Sequence, residues 1–289
     1  MSAYRFCRTD DIALLVDAHN RCWLPHFPGE PPLVVSELKR WIRELQLWCS
    51  SSMVAFAGEE PIGVLLGAKR AAQTLIHRIA VHPDHVRRGH GRHLLTSLSS
   101  KLHILGPPRI VAEVPADASQ AWTFFERCGY AREGVLTDYL LPSEGRSPGR
   151  SGVPPEDAFL VPLTLDDLAA NDLLAGGSPR CWERGVEALS ARKETIQGLG
   201  LATVDRIAAY LLYLPDDTGG AEIAALRALD EEDAEGHLGC LVDALARRRR
   251  GPIRFRRVHA EEVPGRWLEA WGFEPRETFI GFSRLATPA

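Results

Sequence analysis

The sequence predicts an α/β protein with two similar domains in tandem, each built on a mixed central sheet. Three observations support this prediction. The chain has 289 residues, which is about twice the usual length of a single domain. Segments with the periodicity of a strand alternate with segments that have the periodicity of a helix. The order of these segments in the first half recurs, in weaker form, in the second half.

The first half begins with a short strand and two helices. Residues 3–7 predict the strand, and Thr9-Asp10-Asp11 then caps a helix that reaches about Asn20. A turn rich in proline precedes a second amphipathic helix from Ser36 to Trp48. The rest of this half predicts strands at 53–57, 62–69, 75–81, 109–114, 132–140 and 158–163, and helices at 89–105 and 119–128.

A segment rich in proline, glycine and serine, 142–157, has no periodicity and predicts a mobile loop or linker. We expect the domains to cover residues 1–165 and 166–289. The second half predicts helices from Asp166 to a break at 176–179, at 182–198, at 232–250 and at 265–271, and strands at 204–214, 221–229, 252–259 and 277–285.

Two pairs of residues indicate an internal duplication. Each half has a strand, a helix that opens at Gly-His, another strand, and a short aromatic helix that ends at glycine and an aromatic residue. On this alignment Gly89-His90 corresponds to Gly236-His237, and Gly129-Tyr130 corresponds to Gly272-Phe273.

Composition excludes several classes of function. The formal net charge is −4, which does not favour a general nucleic-acid-binding surface. Arg247–Arg250 ends a predicted helix, where cations are favourable, so we expect no nucleic-acid partner. The chain has no apolar run of about 18 residues. Its N-terminus lacks the apolar region of a signal peptide, so we expect no membrane span and a cytoplasmic protein.

The cysteine and histidine residues do not form a metal-binding pattern. The six cysteines are scattered without a CxxC pair, and we expect buried free thiols. Histidines cluster in one part of the chain, but no carboxylate or cysteine completes a ligand set at a known spacing, so we predict no metal. The clustered histidines are His77, His82, His85, His90 and His93.

The most informative stretch is the junction between strand 75–81 and helix 89–105. Arg87, Arg88 and Arg92 supply positive charge, and Gly89 and Gly91 let a ligand approach the backbone. The amides and the dipole of a helix N-terminus also favour an anion. The pattern predicts a diphosphate-binding site, although neither GxGxxG nor GxxxxGK[ST] is present.

At these residues the chain resembles the GNAT superfamily of acyl-CoA-dependent N-acyltransferases. The signature V-x-P-x-x-[QR]-x-x-G-x-[GA] is matched at Val81, Pro83, Gly89 and Gly91 and departed from at Val86. A second landmark of the family, an aromatic pair followed by glycine and an aromatic residue, is matched by Phe124–Tyr130. The resemblance covers about residues 3–164 and implies acetyl-CoA as cosubstrate.

The resemblance also assigns residues to the cofactor. It implies that the strand backbone pairs with pantetheine, that the loop holds the pyrophosphate, and that the second aromatic residue lies beside the cofactor. These residues are Ile79, Ala80 and Val81 in the strand, Arg87, Arg88, Gly89, His90, Gly91 and Arg92 in the loop, and Phe125.

Glu113 is the candidate base. An amine attacks a thioester only in its neutral form, so a group must accept its proton. The resemblance implies this role, because the matching glutamate is a base in the family's ribosomal-protein N-terminal acetyltransferases. Ala118 and Phe125 replace the family's usual asparagine and its acid, a tyrosine, which leaves Tyr130, Tyr139 or water as the candidate acid.

An acidic stretch, Glu231–Glu235, replaces the basic loop when Gly236 is aligned with Gly89. Its carboxylates would repel a pyrophosphate. We therefore expect the second domain to be a degenerate GNAT-like copy without a cofactor site. Attraction of a cationic substrate is an alternative role for this stretch.

The predicted function is transfer of an acetyl group from acetyl-CoA to an amine of a small molecule or peptide by direct attack. The missing acid also fits a non-catalytic acyl-CoA sensor, and an interaction protein is the other alternative. The sequence leaves open the acceptor, the acyl chain length and whether the protein is a monomer or a homodimer.

Overall fold

The computed structural model describes residues 2–143, 158–174, 181–229 and 233–288. They form two compact units. The first comprises the described residues up to Gly134 and those from Ile280 onwards, and the second comprises those from Val135 to Phe279. Most of the predicted linker 142–157, and all of the predicted break at 176–179, lie outside the described residues.

The first unit is a mixed sheet with helices on both faces. One face packs against α1 and α2, and the other packs against α3 and α4. The strand order is β1-β2-β3-β4-β5, followed by the end of β12, and only β5 runs parallel to its neighbour β4 among the first five strands. The strands are β1 Ser2–Phe6, β2 Met53–Ala57, β3 Glu60–Lys69, β4 Gln73–Val81 and β5 Arg109–Pro115, and the helices are α1 Ile12–Trp23, α2 Val35–Glu44, α3 His90–Leu105 and α4 Ser119–Arg127.

The second unit repeats this sequence of elements. Its strand order is β7-β8-β9-β10-β11, followed by β6, and β11 runs parallel to β10. The repeat confirms the predicted α/β class and the internal duplication. The strands are β7 Phe159–Leu163, β8 Gln197–Ala202, β9 Ile207–Pro215, β10 Ala221–Ala228 and β11 Ile253–His259, and the helices are α5 Leu165–Ala170, α6 Val186–Ala191, α7 Ala234–Arg248 and α8 Gly265–Ala270.

Two strands, β6 Ala131–Leu141 and β12 Glu274–Leu285, each begin in one unit and end in the other. Residues 136–141 of β6 pair antiparallel with β11 of the second unit. Phe282 of β12 stacks on Phe125 in the core of the first unit, with their ring centroids 5.6 Å apart. The limits of these compact units follow from strand pairing between segments that are distant in sequence. The domain limits 1–165 and 166–289 stay a prediction.

The predicted helix 182–198 ends too late, because only residues 182–184 and 186–191 of this range are helical. A 3-10 turn at Trp182–Arg184 and the short α6 precede β8, which begins at Gln197. Gly198 lies so close to β7 that a Cβ atom there would collide with the carbonyl oxygen of Leu163. The glycines that allow this approach also interrupt the apolar pattern, so the sequence did not predict strand β8. The other predicted elements agree with the structure to within a few residues.

Candidate cofactor and catalytic site

The loop between β4 and α3 leads directly into a helix N-terminus. After a 3-10 turn at Pro83–His85, Arg87 has a φ of 63° and Gly89 has a φ of 87°, and α3 begins at the next residue. No atom lies within 4 Å of the position that a Cβ atom on Gly89 would take, so the space there is open. The amides of the first helical turn have no acceptor within the helix, and such a turn binds anions.

Three arginines lie in this loop or in the first turn of α3. The side chains of Arg87, Arg88 and Arg92 are exposed. Guanidinium groups donate paired hydrogen bonds to phosphate oxygens. Positive charge and the N-terminal amides of α3 therefore lie within one short stretch of the chain.

His90 and Gly91 occupy this turn for reasons of packing. The imidazole of His90 is buried and shares a hydrogen bond of 2.6 Å with the hydroxyl of Tyr4. Burial lowers the pKa of His90, and the positive charges of His85, Arg88 and His93 add to that effect. A Cβ atom on Gly91 would lie 3.1 Å from the ring of Phe124 in α4. The imidazole of His90 therefore packs inside the protein, and the absence of a side chain at Gly91 leaves room for the ring of Phe124.

Strands β4 and β5 separate just before the predicted pantetheine positions. Within the described residues they pair only from Gln73↔Arg109 to Ile76↔Ala112. We call the opening beyond this point, residues 77–81 of β4 and 113–115 of β5, the β4–β5 fork. Parallel strands that part in this way leave backbone groups available to an extended ligand.

The register of β4 shows which backbone groups face the fork. The amide of His82 donates to the carbonyl of Ile62 in β3 at 2.9 Å. Because direction alternates along a strand, the backbone groups of Ala80 also point to β3, and those of Ile79 and Val81 point into the fork. Of the three predicted strand residues, Ile79 and Val81 therefore have the orientation to pair with a ligand, and Ala80 does not.

Glu113 lies at the inner end of the fork. Its neighbours Ala112 and Val114 are buried in the core formed with α3 and α4. Side chains alternate along a strand, so Glu113 points to the other face, where α1 and α2 pack. The carboxyl group is half-buried. Glu113 therefore lies on the α1–α2 face of the sheet.

The two candidate tyrosines have different surroundings from Glu113. Tyr130 is buried among Phe125, Phe282 and the α3–α4 core, and burial raises the pKa of its hydroxyl. Tyr139 belongs to the core of the second unit, where burial and the neighbouring Glu269 raise its pKa. Neither position supports the expected role of general acid. Phe125 packs in the same core as Tyr130.

Two histidines lie beside the fork, and the sequence indicated no role there for either. His77 was grouped only with the other clustered histidines, and His26 was not singled out. His26, in the loop after α1, has its Nε2 atom 2.8 Å from the carbonyl oxygen of Val81. His77, at the inner end of the fork, contacts the edge of Trp41 in α2, with their ring centroids 4.8 Å apart. A titratable residue inside an otherwise apolar strand was the available signal for His77. No local signal identifies His26, because its contact depends on a long-range fold.

The corresponding loop of the second unit is shorter and acidic. The β10–α7 connection has five residues, 229–233, whereas the β4–α3 connection has eight, 82–89. Asp233 has a φ of 55° and precedes α7, as Gly89 precedes α3. The predicted pairing of Gly236 with Gly89 is thus displaced by three residues. Glu231 and Glu232 lie outside the described residues.

The carboxylate of Asp233 lies against the first turn of α7. Its Oδ2 atom would be 2.6 Å from a Cβ atom on Gly236. A negative side chain therefore occupies the N-terminal end of this helix, which is the position that an anionic ligand would take.

Two further expectations concern metals and membranes. The described residues contain no group of three or more His, Cys, Asp and Glu side chains that is suited to hold a metal ion. The six cysteines are free thiols, five of them buried and Cys49 half-buried. Within the described residues, no helix has both the length and the apolar character needed to cross a membrane.

Comparison with known proteins agrees with this geometry. Residues 13–130 match the Acetyltransferase (GNAT) family. The [Ribosomal protein bS18]-alanine N-acetyltransferase of Escherichia coli strain K12 is 26% identical over 139 residues, which are 48% of this chain and 82% of that protein.

Solved structures resemble the chain over its whole length. A GCN5-related N-acetyltransferase from Sphaerobacter thermophilus has a TM-score of 0.68 at 16% identity and covers 100% of this chain and 96% of its own. A tandem GNAT protein from the clavulanic acid biosynthesis pathway has a TM-score of 0.66 at 17% identity, with 100% of both chains covered. At these identities the likeness is one of fold.

Proposed function

Residues 13–130 form an acetyltransferase domain of the GNAT family, and from this premise we propose that the protein transfers an acetyl group from acetyl-CoA to a primary amine. The observation that carries the proposal is the combination of an anion-binding loop with an open β4–β5 fork. A diphosphate and an extended amide-containing chain, joined end to end, are the two parts of coenzyme A that such a site would hold.

The first unit supplies the groups for this ligand. The amides near Gly89 and the guanidinium groups of Arg87, Arg88 and Arg92 would bind the pyrophosphate. The backbone of Ile79 and Val81 would pair with the pantetheine. Acetyl-CoA would supply an activated thioester when bound, and the fork would orient the carbonyl of that thioester toward Glu113.

Glu113 is the proposed base. A carboxylate on the α1–α2 face accepts a proton, directly or through water, from the amine that attacks the thioester. A preorganised amide donor in the fork would stabilise the oxygen on which negative charge develops. The step needs no covalent intermediate on the protein.

The acceptor is an amine of a peptide or a small molecule. The E. coli relative is named for acetylation of an alanine of a ribosomal protein. That name, together with the carboxylate of Glu113 at the fork, makes the α-amino group of a peptide the first acceptor to test.

The second unit is proposed to bind no coenzyme A. Its β10–α7 connection is three residues shorter, and the carboxylate of Asp233 occupies the end of α7. Like charges repel, so a pyrophosphate would not be held there. One acetyl-CoA per chain is the expected stoichiometry.

Calorimetric titration of acetyl-CoA tests the site. Wild type should bind one equivalent, and Arg87→Ala/Arg88→Ala should raise the Kd by at least about tenfold, because each hydrogen bond to a charged group contributes about 1.5–3 kcal/mol. The matched control is Arg247→Ala/Arg248→Ala, which removes the same charge from the last turn of α7. Two equivalents per chain would contradict the proposal that the second unit binds no coenzyme A. Absence of binding would overturn the proposed function.

Turnover completes the test. Release of free thiol from acetyl-CoA is followed with an alanine-initiated hexapeptide, spermidine and glucosamine as acceptors. Acetylation of any of them supports the transferase. Binding without turnover would instead favour the acyl-CoA sensor, which the absence of a tyrosine at Phe125 makes the second candidate.

A further inference from the structure

We propose that His77 is the general acid of this site and donates a proton to the departing thiolate, opposite the base Glu113. The assignment rests on the proposed function. It fills the role that neither Tyr130 nor Tyr139 is placed to perform, since both belong to apolar cores.

The register of the sheet places His77 and Glu113 at the same level. Ile76 and Ala112 form the last pair between β4 and β5. His77 and Glu113 are the next residues on the two strands, so they stand at the two sides of the inner end of the fork. Both are half-buried.

His77 lies at a bulge in β4. Arg78 pairs with Leu66 and Ile76 pairs with Gly67, so the register between β3 and β4 shifts by one residue at His77. Its ring meets the edge of Trp41 in α2, which lies on the α1–α2 face. Glu113 points to that face as well. The imidazole and the carboxylate therefore lie on the same side of the sheet.

The direction of the ligand puts the reacting atoms at this end of the fork. The anion-binding loop follows the outer end of β4, beyond Val81. A pantetheine that starts at this loop and pairs with Val81 and then Ile79 runs toward His77. Its terminal thioester would therefore lie between the two titratable side chains.

The chemical step balances with these two groups. The amine nitrogen forms a bond to the carbonyl carbon, and Glu113 accepts one proton from that nitrogen. The C–S bond then breaks with its electron pair on sulfur, and His77 gives a proton to the thiolate. Transfer of the proton from Glu113 to His77, directly or through water, restores the starting state. An imidazole suits this role because it both accepts and donates protons near neutral pH.

The charged and titratable groups near His77 belong to several elements. Glu113 faces it from β5, and Arg78 follows it in β4. Glu30, 3.9 Å from Arg78, lies in the loop after α1, and the buried His19 lies on α1. From α2 the neighbour is the uncharged Trp41.

The test uses His77→Phe and His77→Gln in the full-length protein. His77→Phe retains an aromatic ring beside Trp41 but has no proton to give. With the best acceptor of the amine panel, kcat should fall about 100-fold in both variants, near the lower end of acid–base contributions. The decline of kcat at high pH should disappear. His103→Gln, an exposed histidine of α3, is the control.

Two measurements separate this role from packing. The Kd for acetyl-CoA and the unfolding midpoint of His77→Phe should stay at the wild-type values. Glu113→Gln should instead abolish the decline of kcat at low pH.

If the wild type is active and His77→Phe is equally active with the same pH profile, the assignment of His77 is overturned. The proposed function would then still stand. A wild type that acetylates no amine of the panel would overturn the proposed function, and the assignment with it.

Discussion

The imidazole Nε2 of His26 lies 2.8 Å from the carbonyl oxygen of Val81, in hydrogen-bond contact across 55 residues of sequence. By the register of β4, this carbonyl points into the β4–β5 fork. The same oxygen is the acceptor that an amide group of a bound pantetheine would use. His26 therefore competes with the proposed ligand for one backbone group.

Replacement of His26 by alanine should tighten the binding of acetyl-CoA. A protein hydrogen bond contributes about 0.5–1.5 kcal/mol net, which corresponds to a decrease in Kd of about two- to tenfold. Calorimetric titration measures the change, with His103→Ala as control. A Kd that rises in His26→Ala would mean that the imidazole contacts the ligand rather than competing with it.

Gly91→Ala should destabilise the first unit by about 1–3 kcal/mol. The added methyl group would lie 3.1 Å from the ring of Phe124, and an overpacked contact of this kind costs free energy. Urea unfolding followed by circular dichroism gives the free energy of unfolding. The double variant Gly91→Ala/Phe124→Leu should recover part of the loss. If it recovers nothing, the ring is not the cause.

Gly89→Ala should act by backbone strain instead. Its φ of 87° lies in the left-handed region, and its surroundings are open. An L residue there costs about 1–2 kcal/mol. Because the cause is local, the double variant Gly89→Ala/Phe124→Leu should recover none of the lost free energy of unfolding. Equal recovery at Gly89 and Gly91 would contradict this distinction.

The stability of the first unit should fall as the pH decreases below about 6.5, in part because of His19. Burial lowers the pKa of His19 from its ordinary value of 6.5, and the positive charge of Arg78 lowers it further. The unfolded state therefore takes up a proton that the folded state resists. The stabilisation is present above pH 6.5 and is lost as the pH falls toward the folded pKa.

Urea midpoints at pH 7.5 and pH 5.5, for wild type and His19→Leu, measure this effect. The variant should show a smaller difference between the two pH values than wild type. His90, whose pKa is also lowered, contributes with the same sign in both proteins. Equal differences in the two proteins would exclude His19 as a source of the pH dependence.

Arg184→Met should destabilise the second unit by about 3–5 kcal/mol. Arg184 is 1% exposed, donates to Glu262 at 2.6 Å and to the carbonyl of Arg257 at 2.8 Å, and stacks on Phe255. Its removal leaves a buried carboxylate without its cation. The double variant Arg184→Met/Glu262→Leu should recover much of the loss.

An exposed pair provides the control for this comparison. Arg276→Met removes the partner of Glu274, where both side chains are about half exposed. The expected change in the free energy of unfolding is within about 0.5 kcal/mol. Equal losses at the buried and exposed pairs would contradict a desolvation cost at Glu262.

The loop chemistry could be predicted from the sequence because it is local. Arginines and glycines within a few residues of a strand–helix junction determine both charge and backbone conformation, and the structure places Arg87 and Gly89 in the left-handed region. The duplication could also be predicted, because each half has a glycine after its aromatic helix, Gly129 in the first and Gly272 in the second. Both glycines have a positive φ in the structure. Local sequence did not reveal β8, whose glycines are explained only by the approach of β7.

The sequence by itself determined the fold class, the repeated order of elements and the anion-binding loop, because periodicity and turn residues act over short distances. Only the tertiary structure decided that residues 136–141 pair with β11 and that Phe282 completes the core of the first unit. It also decided that His77 and Glu113 share one face of the fork. The physical reason is that strand register and bulges are set by pairing between distant segments, and a shift of one residue reverses the face that a side chain occupies.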